Sequence, residues 1–260
     1  MNIRKSVLSG YWFPKNKSEL DSSLEVFMKN NKNNFINKKI KAMIVPHAGY
    51  KYCGDILGSA YNQLNFSYEN VFIFGTAHRN SYEGVSIPDF SHYQIPFGNI
   101  KINSISNELL KEKYFKSLND AHISEHSIEI QLPFLKKIYD DNDFNLSITP
   151  LLFGRVNPNE IAECLVNYIN ENSLIIVSAD LSHFLNDEKA RNIDRETINK
   201  IISLKTINRE NATCNPYGIN TIIEVAKIKN WETDLLKYSN SSEVTNDYSR
   251  VVGYSSIIFY

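Results

Sequence analysis

Short, uninterrupted apolar runs recur along the chain and predict strands. Three of them, Lys41–Pro46, Val71–Phe74 and Leu174–Val177, are rich in β-branched or aromatic residues and too short for a helix. Such runs favour strands buried on both faces of an α/β sheet. A fourth run, Leu146–Phe153, contains a proline, which favours an edge position or an irregularity because proline lacks an N–H for the ladder. The last run, Val251–Phe259, is expected to close the sheet.

Amphipathic segments lie between these runs and predict helices. Asn157 and Asn215 each precede a proline at the start of such a segment, as an N-cap followed by the first helical position. Pro133 predicts a break or kink within another segment. The alternation of strand and helix predicts a single α/β domain over residues 1–260, with a central, mostly buried mixed sheet flanked by helices. The predicted helices are Ser18–Asn30, Glu125–Tyr139, Pro158–Ile169, Asp187–Leu204 and Pro216–Ile228.

Composition and missing motifs exclude several classes of function. With 28 basic and 29 acidic residues, the net charge of −1 gives no electrostatic reason to expect nucleic acid or an anionic membrane. The chain has no apolar leader and no run of 18 apolar residues, and its three cysteines are not closely paired, so we expect a cytoplasmic protein. Markers of dinucleotide binding, phosphate-loop NTP hydrolysis, serine hydrolases and zinc ribbons are all missing.

Three of the six histidines follow predicted strands closely. His47, His78 and His183 lie one to six residues beyond the end of a buried run. Sites in open α/β sheets form at the carboxyl ends of the strands, so we expect these histidines to converge on one edge of the sheet. Imidazole is a common metal ligand and a common acid or base near neutral pH. Taken singly, each histidine could instead be a structural or surface residue.

The segment from His122 to Glu129 has several interpretations. His122 and His126 are four residues apart, which on a helix would place both on one face, but the Glu that follows the first His in zincins is missing. We favour His126 joining the strand-end cluster together with Glu125 or Glu129. The alternative is a solvated helix start with a buried His126.

One carboxylate and the three cysteines complete the candidates. Asp180 precedes His183 by three residues, where it could bind a metal, orient a neighbouring imidazole, or cap the following turn. Cys53 and Cys164 lie on helical stretches and are expected to be packed thiols. Cys214 precedes a predicted helix start, where a thiolate is favoured, but no base is adjacent in sequence, so we do not expect it to act as a nucleophile.

Six motifs, in order and over nearly the whole chain, resemble those of the Memo family, whose prokaryotic members are called AmmeMemoRadiSam system protein B. The resemblance implies an α/β fold similar to the class III (LigB-type) extradiol dioxygenases, which hold non-haem iron(II) with two histidines and a carboxylate. The motifs are SGYWFP (9–14), VPHAGYKYCG (45–54), FGTAHR (74–79), EHSIEIQLPFL (125–135), SADLSHF (178–184) and TCNPYG (213–218).

The resemblance also implies roles for individual residues. His47 and His78 match the family's metal-ligand histidines, and His183 matches the acid/base histidine of the dioxygenases, with Asp180 beside it. Aromatic positions near the family's cleft correspond to Trp12 and Tyr50 in this sequence, and Glu125 and His126 are placed at the same cleft.

These roles predict dioxygenase-like or other metal-dependent redox chemistry on a small molecule or peptide. Iron(II) is favoured as the metal, with copper or zinc as alternatives. The competing hypothesis is a module that binds a peptide, a protein or a metal in the same cleft without turnover. The family name further implies radical-SAM and AMMECR1-like proteins as partners.

The third metal ligand is where the sequence departs from the family pattern. Animal members place a cysteine in the C-terminal segment, and alignment by Tyr238, Ser241 and Ser242 puts Val244 at that position. Valine cannot bind a metal. The third ligand is then expected to be Asp180, Glu243, a side chain elsewhere, or water.

Overall fold

One large sheet forms the centre of the molecule. The computed structural model describes residues 2–31, 36–64, 67–207 and 212–260. Twelve strands occur in these residues: β1 Ile3–Arg4, β2 Ala42–Val45, β3 Asn70–Thr76, β4 Val85–Ile87, β5 His92–Ile95, β6 Gly98–Ile102, β7 Phe115–Ser117, β8 Ser147–Phe153, β9 Ser173–Ser178, β10 His183–Leu185, β11 Thr233–Asn240 and β12 Val251–Phe259.

The sheet is mixed, with a parallel centre. The strand order is β1-β5-β6-β8-β3-β9-β2-β12-β10, with β11 paired to β12 and with β4 and β7 attached beside β8. Strands β8, β3, β9 and β2 are parallel neighbours, while β12 joins β2 in the antiparallel sense. Every residue of β2 and β9 is buried, as expected for strands covered on both faces.

Helices cover both faces of this sheet, which confirms the predicted α/β class. The helices in the described residues are α1 Lys17–Lys29, α2 Tyr50–Tyr61, α3 Ile105–Leu109, α4 Asn119–Ile123, α5 Leu132–Asp141, α6 Pro158–Leu165, α7 Asp187–Ile202, α8 Pro216–Lys229 and α9 Ser242–Thr245. Along β3, Val71 and Ile73 pack into the layer with α1, α2 and α5, and Phe72 and Phe74 pack into the layer with α6, α7 and α8.

Two predicted elements differ from the structure. The helix expected from Glu125 begins only at Leu132, after a 3₁₀ turn over Glu129–Gln131, with Pro133 in its first turn. Strand β8 is interior, so the edge position is wrong, but the expected irregularity is present. On one side its partner changes from β6, paired at Ile148, to β4, paired at Leu152, so that Pro150 lies between the two pairings.

In the described part of the chain, no helix combines the length and hydropathy that a membrane crossing requires.

Candidate metal centre

Three neighbouring parallel strands deliver the predicted histidines to one edge of the sheet. His47 follows β2 and His78 follows β3, while β9, which lies between these two strands, is followed by Asp180. The ring centroids of His47 and His78 lie 5.0 Å apart. The ring centroid of His126 lies 5.1 Å from that of His47 and 4.3 Å from that of His78. The predicted convergence of strand-end histidines is therefore present, and His126 joins it.

Cys214 lies against the same cluster. Its Sγ is 3.1 Å from His47 Nε2, and it accepts the backbone N–H of Asp180 at 3.2 Å. Asn215 holds the loop in place by donating its side-chain N–H groups to the carbonyls of Phe74 and Ser178, both at 3.1 Å, while its side-chain oxygen caps α8. The ends of β3 and β9 thus fix Asn215, and with it the adjacent Cys214.

His47, His78 and Cys214 together have the chemistry of a transition-metal site. Each can place one ligand atom within 4.8 Å of the others'. Two imidazoles and a thiolate suit zinc, copper and iron. Burial, together with the nearby His78 and His126, lowers the pKa of His47 well below its usual value, so its imidazole is neutral as a ligand requires. Burial also raises the pKa of the Cys214 thiol, and a bound cation would favour its thiolate form.

Of the alternatives for a third ligand, the structure favours a side chain elsewhere in the chain over Glu243. Val244 lies on α9 and is 38% exposed, and Glu243 is exposed and pairs with Arg191 at 3.7 Å. Cys214 is the side chain that forms a possible ligand group with both histidines. The sequence signal at Cys214 was the Asn-Pro helix start that follows it, which favours a thiolate. Spacing could not place this cysteine beside His47, because 167 residues separate the two along the chain.

Glu125 supports the cluster from behind. Its carboxylate accepts His78 Nδ1–H at 2.9 Å and the backbone N–H groups of His78, His126 and Ser127 at 2.8 to 3.0 Å. Burial alone would raise the pKa of Glu125, but the hydrogen bonds from His78 and Ser127 keep it below its usual value. His78, Glu125 and His126 also form a possible ligand group. Because the Glu125 oxygens are occupied by these donors, we interpret Glu125 as the residue that orients His78.

Gly75, in the last part of β3, allows this support to approach closely. A Cβ on Gly75 would lie 2.7 Å from Ser127 Oγ. Ser127 in turn accepts the N–H of Thr76 and donates to its carbonyl. The glycine thereby allows the segment that carries Glu125 and His126 to pack on the end of β3.

His183 and Asp180 form the other side of the site. His183 Nδ1 donates to the Leu181 carbonyl at 2.8 Å, which leaves Nε2 unprotonated in the neutral ring. Buried Asp180 accepts the His47 N–H at 2.7 Å, and its other oxygen lies 3.9 Å from His183 Nε2 and 4.0 Å from His47 Nε2. Burial raises the pKa of Asp180 to about 6, partly offset by His183 and by the His47 N–H.

A cleft of about 810 Å³ opens over these groups. Trp12 lines it as expected, with its ring 4.7 Å from His126. Tyr50 does not line it, because this side chain is buried among Phe13, Phe27 and Phe134 and donates to the Ile130 carbonyl. Lining residues include His47, His78, His126, Asp180 and His183, with Tyr11, Trp12, Tyr52, Phe184, Val252 and Tyr254 among its apolar walls.

Comparisons with known proteins cover almost the whole chain. A family model described as "Memo-like protein" matches residues 4–258. MEMO1 family protein TV1383 of Thermoplasma volcanium is 34% identical over 269 residues, covering 98% of each chain. A MEMO1 family protein of Aquifex aeolicus is 30% identical over 273 residues, covering all of both chains.

One solved structure is similar in fold. It is the uncharacterized protein JW3007 from Escherichia coli K12, which superposes with a TM-score of 0.52 at 9% identity, over 84% of this chain and 99% of that one.

Proposed function

Because the chain belongs to the Memo family, we propose that it is a metal-dependent enzyme whose centre is formed by His47, His78 and Cys214. The observation that carries the proposal is the 3.1 Å approach of Cys214 Sγ to His47 Nε2, beside His78 in the same cleft. A thiol and an imidazole at this distance offer a metal two donors of different hardness.

The residues fit a transition metal better than magnesium or calcium, which prefer oxygen ligands. Iron(II) is the favoured ion because the resemblance to the Memo family implies a fold similar to the extradiol dioxygenases, with copper or zinc as the alternatives that a thiolate also suits. Such an ion supplies Lewis acidity and, if iron or copper, redox chemistry. Cys214 would bind it as the thiolate, giving up its proton.

Two further polar groups of the cleft, His183 and Asp180, are proposed to take part in proton transfer. His183 Nε2 is the acceptor in the neutral ring and faces the cleft together with Asp180. His183 therefore takes a proton from a substrate hydroxyl, and Asp180 stabilises the imidazolium that forms. The proposed reaction class is dioxygenase-like or another metal-dependent oxidation of a small molecule. Radical-SAM and AMMECR1-like proteins in the cytoplasm are the proposed partners, on the family resemblance alone.

Metal analysis tests this function. The chain, purified without oxygen and supplied with iron(II), should hold one ion, and so should a His92→Ala control, since His92 bonds only to its neighbour Ser91 among the ring contacts described. His47→Ala and His78→Ala should lose it. Absence of metal from every preparation would overturn the metalloenzyme, while metal retained by both of the latter variants would overturn the ligand assignment.

A second candidate, a module that binds its ligand without turnover, is supported by the mouth of the cleft. Tyr11, Trp12, Tyr52 and Phe184 all line it and are at least 37% exposed, and exposed aromatic groups of this kind mark interaction sites. Phe184 has φ +58°, a strained conformation for a bulky residue, and the Arg250 guanidinium covers its ring at 4.5 Å.

Tryptophan fluorescence separates this candidate from the enzyme. A Trp231→Phe variant leaves Trp12 as the single reporter, because the chain has two tryptophans. Saturable quenching by catechol in chelator-treated protein, with no oxygen uptake after metal is restored, would favour the binding module. Quenching that requires metal, together with oxygen uptake, would favour the enzyme.

A further inference from the structure

A chain of buried hydrogen bonds runs from the helical layer to His47. Tyr61 donates its hydroxyl to Gln131 Oε1 at 3.0 Å, and Gln131 Nε2 donates to the Ser178 hydroxyl at 2.9 Å. Ser178 Oγ lies 3.2 Å from His47 Nδ1. All four side chains are buried, so water does not compete for these bonds.

The proton positions along this chain follow from groups that can only accept. Gln131 Nε2 also faces the Pro46 carbonyl at 2.8 Å, which identifies the atom as the amide nitrogen and leaves Oε1 for Tyr61. Ser178 Oγ lies 2.5 Å from the Ser127 carbonyl, so its single proton is donated there. Ser178 therefore has no proton left for His47, and it accepts from Gln131 and from the imidazole.

We infer that Ser178, Gln131 and Tyr61 are positioning residues that hold His47 in the Nδ1–H tautomer and so leave the Nε2 lone pair for a metal ion. This inference rests on the metal centre proposed above. Free histidine in water favours the opposite tautomer, which here would set two acceptors, Nδ1 and Ser178 Oγ, against each other at 3.2 Å. It would also put the proton on Nε2, the ring nitrogen that faces Cys214 Sγ, and so remove the lone pair that a metal ion needs there.

Gln131 is the residue that keeps the Ser178 hydroxyl from turning to donate its proton to His47. A serine hydroxyl rotates freely, so Ser178 alone could donate to His47 as readily as accept from it. Its donation to Ser127 and its acceptance from Gln131 leave one acceptor position, which faces the imidazole. A flipped Gln131 would set its side-chain oxygen against the Pro46 carbonyl and would have no N–H to donate to Ser178. The tautomer of a metal ligand is generally set in this way by the partner of its other ring nitrogen.

The tautomer is measured directly in metal-free protein. Two-bond ¹H–¹⁵N correlations of the ¹⁵N-labelled chain, with the His47 ring assigned by its loss in His47→Ala, should show Nδ1 protonated and Nε2 bare. In Ser178→Ala this preference should be lost, and cobalt(II) affinity should fall about 10- to 100-fold. The matched control is Ser255→Ala, which removes a buried serine hydroxyl that has no partner among the described residues.

Tyr61→Phe is the milder second variant if Ser178→Ala fails to fold, and it should shift the His47 tautomer in the same direction. A His47 ring protonated at Nε2 in the native chain would overturn the inference. So would Ser178→Ala and Tyr61→Phe keeping both the native tautomer and the native cobalt affinity. Failure of the metal centre is distinguishable, because the native chain would then show the Nδ1–H tautomer but bind no cobalt.

Discussion

Cys214 Sγ lies 3.1 Å from His47 Nε2, although 167 residues separate the two along the chain. Strand β2 delivers the histidine, and the Asn215 side chain ties the cysteine loop to the ends of β3 and β9. The contact brings a sulfur donor to a neutral imidazole inside a cleft, and the proposed metal centre depends on it.

Replacing Glu125 should weaken both the fold and the metal centre. Glu125→Gln keeps the shape but sets an amide N–H against a backbone N–H that the carboxylate now accepts. We expect the free energy of unfolding to fall by about 1–3 kcal/mol and metal affinity to fall about 10- to 100-fold. Urea unfolding and zinc titration measure the two effects. Exposed Glu163→Gln is the control, and a Glu125→Gln protein that matches it in both would contradict the supporting role of Glu125.

His122 should make the protein less stable as pH falls. Burial lowers its pKa to about 3, and its ring accepts from Tyr93 and donates to Ser86 in the neutral form. The unfolded chain takes up a proton below pH ~6.5 and the folded chain does not, so stability is lost as pH falls from there towards 3, by up to ~1.4 kcal/mol per pH unit from this group.

Urea unfolding of His122→Gln between pH 7 and pH 4 checks this contribution. Glutamine can also hydrogen bond but does not titrate, so the free energy of unfolding should depend less steeply on pH than in the native chain. Parallel curves for the two proteins would show that another group, such as half-buried His126, carries the dependence.

His183 should be needed for turnover but not for binding the metal. Its Nδ1–H is held by the Leu181 carbonyl, and Nε2 faces the cleft beside Asp180. In His183→Gln, oxygen uptake with catechol should fall about 100-fold or more, the usual contribution of a general base, while metal content stays at the native level. Unchanged uptake would remove the acid/base role, and loss of metal would make His183 a ligand.

Much of the fold and half of the site were predictable because their signals are local. Continuous apolar runs identified the central strands, and the histidines that follow β2 and β3 marked the edge where they converge. The helix expected from Glu125 was wrong because that side chain takes the N–H groups of the next two residues and so holds the segment in a turn.

The rest of the site depends on contacts that sequence spacing does not reveal. Cys214 was not expected to act as a nucleophile because no base is adjacent in sequence. In the structure the imidazole of His47, 167 residues away along the chain, lies beside its sulfur. Tyr50 and Tyr52 both lie on the first turn of α2, and only the packing of α2 decides that Tyr52 lines the cleft while Tyr50 is buried. Local pattern cannot separate two aromatic residues of this kind.

The most direct test of the metal centre is the absorption spectrum of the cobalt(II)-loaded protein. Cobalt bound to a thiolate gives an intense near-ultraviolet charge-transfer band, which should be present in the native chain and in Cys164→Ser, whose cysteine lies on α6. The account predicts that Cys214→Ser abolishes this band while Val244→Ala leaves it unchanged. A Cys214→Ser protein with the full thiolate band, or a native protein that binds cobalt without one, would contradict the assignment of Cys214 as the third ligand.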